Sequence, residues 1–175
     1  LRLAGFIDRI SWVFGIVASG LVLLSCFISA GNAMMRYLFD MSSNAWLEVQ
    51  WQMFAGIFLL GAPWVLKMNG HVRVDLIYGG LSTRGKAWVD VFGLIFFLFP
   101  VCFLMTRLSL PWVETAITRG EMSSNAGGLP VWPVKVLLPL GFGLLALQGF
   151  AELIRRVAAL RGVTTIDLDY ERPIQ

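Results

Sequence analysis

The chain has 175 residues, of which 57% are hydrophobic and only 14% charged, with a formal net charge of +3. Soluble domains carry about 25% charged residues, so this composition excludes an ordinary soluble enzyme. The basic residues flank apolar runs and form no stripe interleaved with aromatics, which excludes a nucleic-acid partner.

No charged residue falls between Arg9 and Arg36, between Glu48 and Lys67, between Asp90 and Arg107, or between Lys135 and Glu152. A helix needs about 20 mainly apolar residues to cross the hydrocarbon core. The pattern predicts an all-α integral membrane four-helix bundle with spans near 10–35, 46–67, 86–109 and 131–154. Residues 1–161 then form a single membrane domain and 162–175 a polar tail.

Span one is too long for the apolar region of a signal peptide and has no clear small-residue cleavage site, so it reads as a retained helix. Ser11, Gly15, Ala18, Val22, Ser25, Ser29, Asn32 and Arg36 recur every three or four residues along it. They share one helical face, and small and hydroxyl residues allow the close backbone approach on which membrane helix packing depends. A polar ion pathway is the competing reading of that stripe. Span two opens with Trp46, Glu48, Trp51 and Gln52. Glu48 is either an interfacial residue favoured by the helix dipole or a buried carboxylate of functional weight. Pro63 is expected to kink the far end.

The middle loop contains Asn69-Gly70, a turn signal, then the lone histidine, His71, close to Arg73 and Asp75. One histidine supplies neither a bis-histidine haem nor a zinc site, and Cys26 and Cys102 both lie within spans, so no cofactor is expected. Residues 72–81 are predicted to lie on the membrane surface as a short amphipathic segment, with Ser82 capping the next helix. Span three is apolar all round its midsection, and Pro100 is expected to bend it. The following loop repeats, at Met122-Ser123-Ser124-Asn125-Ala126, the five residues of Met41-Ser42-Ser43-Asn44-Ala45. Helix capping and a shared external contact both account for the repeat. Span four contains Pro139, and Gly141, Leu145, Gln148 and Glu152 trace one of its faces, where Gln148 and Glu152 are expected to bond to a neighbouring helix.

Lysine and arginine are unevenly shared. Ten (Arg2, Arg9, Lys67, Arg73, Arg84, Lys86, Arg155, Arg156, Arg161, Arg172) fall on the side of the termini and four (Arg36, Arg107, Arg119, Lys135) on the other. The positive-inside rule then predicts both termini in the cytoplasm. Every tryptophan falls close to a predicted span boundary, as the aromatic belts of membrane proteins require. The loops at 37–46 and 114–131 face outward in this arrangement.

Two segments carry a family resemblance. One is Asn44-Ala45-Trp46-Leu47-Glu48 followed by Gly70-His71-Val72-Arg73-Val74-Asp75. The other is Ser124-Asn125-Ala126-Gly127-Gly128-Leu129-Pro130-Val131-Trp132-Pro133-Val134-Lys135, continuing to Gly141 and Gln148-Gly149. Together they resemble the small membrane subunit, of the DctQ type, of tripartite ATP-independent periplasmic (TRAP) transporters. The resemblance implies a non-catalytic scaffold for a large elevator-type permease subunit, with sodium-coupled uptake of an organic acid delivered by a periplasmic binding protein. It implies contact with that binding protein through the outward loops, and residence in the bacterial inner membrane. Trp46, Glu48, Gln52, His71, Arg73, Asp75, Ser124, Asn125, Gly127, Gly128, Gln148 and Glu152 are the candidate partner-interface residues. The absence of a Gly-rich nucleotide-binding loop agrees with gradient-driven transport. A stand-alone oligomeric transporter or channel is the alternative. Against it, Glu48, Asp90, Glu114 and Glu152 all sit near span ends.

Overall fold

The computed structural model describes residues 1–41, 43–70, 80–125 and 128–163. Within them the chain forms four helices long and apolar enough to cross a membrane: α1 (Arg2–Phe39), α2 (Asn44–Lys67), α3 (Thr83–Thr118) and α4 (Trp132–Leu160). No strand forms among the described residues, apart from one isolated bridge between Met122 and Pro130. The expected surface segment, 72–81, lies outside the described residues except for 80 and 81, and the expected tail, 162–175, except for 162 and 163.

The helices outrun the apolar stretches that announced them. At 1.5 Å per residue α1 is about 57 Å long and α3 about 54 Å, against a hydrocarbon core of about 30 Å. The charge-free interval marks only the part of a helix that sits in lipid. The ends continue into the polar interface, where water and charged side chains tolerate helix equally well. As a result the loop expected at 37–46 shrinks to 40–43, and that expected at 114–131 to 119–131. Asp40 closes α1 in the left-handed region at φ 51°, which a short polar side chain tolerates.

Local signals fix the other ends. Asn69 adopts φ 52°, and Gly70 N–H reaches back to the Val65 carbonyl at 3.0 Å, closing α2 at the expected turn. Ser82 caps α3 by accepting a hydrogen bond from Gly85 N–H at 3.3 Å. Ser43 stands at the N-cap of α2 but makes no side-chain cap bond. Pro100 is accommodated by a π-helical turn over Leu94–Leu98, in which Phe99 N–H bonds to the Leu94 carbonyl. The wider turn relieves a ladder into which proline donates nothing.

α4 is the hub. It packs against α1, α2 and α3, whereas α3 packs chiefly on α4 and α1 chiefly on α2. Small residues set these crossings, as expected where lipid gives no hydrophobic drive between helices. Gly15 lies against the Trp64 side chain, Gly61 against Ala18, and Gly149 against Leu98 on the π turn. A Cβ on Gly141 would stand 2.6 Å from Leu59 Cβ and 2.9 Å from its carbonyl oxygen. That carbonyl is the one deprived of its usual helical partner by Pro63, so α4 closes on α2 where the proline falls. The inner part of the α1 stripe (Ser11, Gly15, Ala18 and Ser25) is buried, which supports the packing reading there; Val22, Ser29 and Arg36 are exposed.

Candidate functional site

Two polar clusters stand at opposite ends of the bundle. At the end away from the termini, Glu48 lies in the first turns of α2 and is only 2% exposed. Its carboxylate accepts a hydrogen bond from Asn125 Nδ2 at 2.8 Å and from the Leu129 backbone N–H at 2.6 Å. The Ser123 hydroxyl is a further donor. One turn along, Gln52 Nε2 donates to the Pro130 carbonyl at 3.2 Å. Two side chains of α2 thus hold the loop between α3 and α4 through its middle and at its α4 end. Glu48 is thus buried, and its carboxylate bonds to the loop.

The loop is braced from within as well. Val131 N–H bonds to the Glu121 carbonyl at 3.1 Å and Ser123 N–H to the Leu129 carbonyl at 2.9 Å. Lys135 pairs with the Glu121 carboxylate and stands 4.3 Å from the centre of the Trp112 ring. That combination satisfies a lysine that is nearly buried and ties α3 to α4. Gly128 is required for steric reasons, because a Cβ there would lie 2.3 Å from the Ser123 carbonyl oxygen. Ser124, Asn125 and Trp46 are exposed on the surface this arrangement presents. Gly127 lies outside the described residues, as do His71, Arg73 and Asp75 of the middle loop.

The second cluster lies at the end holding the termini, and it contains Gln148 and Glu152. Gln148 is 0% exposed. It accepts from the Ser11 hydroxyl at 2.7 Å and donates to Asp8 and Glu152, each at 3.2 Å. Glu152 pairs with both Arg155 and Arg156. Arg155 reaches on to Asp8 of α1, which also faces Lys67 of α2 at 3.6 Å. Arg156 extends to Asp90 of α3 at 3.1 Å and to the Asn69 side chain at 3.4 Å. One continuous clasp therefore joins all four helices. Gln148 and Glu152 turn inward: Gln148 bonds to the neighbouring α1 as expected, whereas the direct partners of Glu152 lie on α4 itself and only its arginines reach other helices.

The sequence reading did not pair Asp8, Lys67, Asp90, Arg155 and Arg156. The available signals were the Glu152–Arg155–Arg156 spacing, which places both arginines beside one carboxylate on a helix, and acids lying at the same end of neighbouring spans. The clasp fastens the four helices together at this end of the bundle.

The family model for tripartite ATP-independent periplasmic transporters, DctQ component, matches residues 25–159. Neither the curated proteins nor the solved structures gave a match. The matched region takes in both polar clusters except Asp8 and Ser11, and it covers α2, α3 and nearly all of α4. This multi-pass membrane chain belongs to the DctQ family, the small membrane component of TRAP transporters.

Proposed function

We propose that the chain acts as a static brace for the large elevator-type permease subunit of a TRAP importer, driven by a sodium gradient. The cargo is an organic acid delivered by a periplasmic binding protein. The chain sits in a bacterial inner membrane with both termini in the cytoplasm, an orientation supported by the ten-to-four division of basic residues. The brace itself is non-catalytic and holds neither substrate nor ion. An elevator domain moves only relative to something fixed, and a bundle clasped at both ends enlarges the fixed part.

The observation that carries this reading is the anchoring of the loop at 119–131 by Glu48 and Gln52. A loop held at its middle and its α4 end by side chains of another helix keeps its shape, and the exposed Ser124 and Asn125 then form a ledge on the outward side for the binding protein. Replacing residues 124–128 by a flexible Gly-Ser linker is expected to reduce solute uptake sharply, while the two membrane subunits still co-purify. Normal uptake by that variant would remove the docking role.

A further inference from the structure

The clasp sorts the charges at its end of the bundle by sign. The first turns of α1 hold Arg2, Asp8 and Arg9. Ala4 and Ile7 pack against Ala151 of α4, and Asp8 turns inward to Arg155 and Lys67. Asp90 and Glu152, the other acids described at this end, are drawn into the same clasp. The opposite face of α1 carries Arg2, Phe6, Arg9 and Val13, spaced by four, three and four residues and all exposed. Neither arginine has an ion-pair or hydrogen-bond partner among the described residues. That face is therefore purely cationic, with no carboxylate beside it.

Two properties of the stripe select its surroundings together. Leu3 and Phe6 are 54% and 64% exposed, so apolar surface stands beside two unpaired guanidiniums. Water favours only the charges and hydrocarbon only the apolar groups, whereas the headgroup region accommodates both. Depth agrees: Trp12, one turn from Arg9 toward the core, is an exposed indole of the kind that marks the interface. Beyond it the stripe continues as exposed Val13, Ile16 and Gly20, an apolar track for an acyl chain. A guanidinium matches a phosphate with a planar fork of donors, and a face without carboxylates gives an ammonium nothing to pair with. We propose that this face of α1 binds the phosphodiester headgroup of an anionic membrane phospholipid. Arg9 holds the phosphate, and Arg2, about 10 Å further along the helix, adds to the positive field. This inference concerns how the chain sits in the bilayer and stands apart from the scaffolding role.

The test removes the two charges and leaves the fold alone, since neither arginine is used within it. The full chain is extracted in a mild detergent and equilibrated with equal amounts of phosphatidylglycerol, phosphatidylethanolamine and phosphatidylcholine of identical acyl chains. Retained lipid is then read by native mass spectrometry. The wild type is expected to keep phosphatidylglycerol in preference to the other two. The double variant Arg2→Gln/Arg9→Gln is expected to lower that preference by about tenfold or more, at about fivefold for each arginine. Arg36→Gln/Arg107→Gln, which removes two exposed arginines toward the other end of the bundle, is expected to leave it unchanged. Should the first double variant fail to elute as a folded species, Arg9→Gln alone carries the test. Equal retention of the three lipids by the wild type would overturn the headgroup assignment. Undiminished preference in the folded Arg2/Arg9 variant, or an equal fall in the Arg36/Arg107 variant, would overturn the site.

Discussion

Replacing Arg156 by alanine is expected to destabilise the bundle by about 3–5 kcal/mol, the range for breaking a buried ion pair from one side. The reason is the company the guanidinium keeps. Asp90 and Glu152 both depend on it, and its side chain is 5% exposed. Its removal takes away the guanidinium that Asp90 and Glu152 share and leaves Glu152 to Arg155, in a poorly solvated pocket where an under-compensated carboxylate is costly. Arg156→Lys is expected to be intermediate, because one ammonium replaces a planar fork that reaches Asp90, Glu152 and Asn69 together. Thermal unfolding in detergent, followed by intrinsic tryptophan fluorescence, measures both variants. An Arg156→Ala protein that melts with the wild type would show that the clasp contributes nothing to holding α3 on α4.

The second large effect is expected at Glu48. The Asn125 amide and the Leu129 backbone N–H that meet its carboxylate are both donors. Glu48→Gln replaces one acceptor oxygen by an NH2 group that meets a donor, and Glu48→Ala leaves both donors unpaired. Hydrogen bonds to charged groups are worth enough that either change should shift the loop's ordered fraction by about tenfold or more. A cysteine placed at Ser124 should then react faster with a maleimide in both variants, and uptake should fall with it. If the labelling rate and uptake both match the wild type, the loop is held by other contacts and Glu48 is dispensable.

These two residues also show what a single sequence discloses. The four spans, the Asn69 turn, the Ser82 cap and the buried part of the α1 stripe were all legible, because each follows from local composition or from a period of 3.6 residues. The far ends of α1 and α3 were not, since these helices continue into the interface, where hydropathy no longer reports on backbone. The π turn at 94–98 answers Pro100, but proline predicts only that the ladder must adapt, not how it does so. For Glu48 the sequence leaves the interfacial and buried readings both open, because one of its partners is a backbone N–H, and a backbone group leaves no mark in a sequence. The Asp8–Arg155 pair was hidden by distance along the chain. Gln148 and Glu152 were identifiable as polar positions on one face of α4, but the sequence did not show whether that face turned toward α1 or toward another protein.

The proposed role is mechanical: the chain, its helices fastened by polar side chains, steadies a moving partner and conducts nothing by itself. The direct measurement is solute and sodium flux into sealed liposomes containing the purified chain alone, beside liposomes holding the complete membrane assembly with its binding protein. The account predicts gradient-dependent uptake by the assembly and background leakage from the chain alone. Sustained, saturable flux through the chain by itself would contradict it.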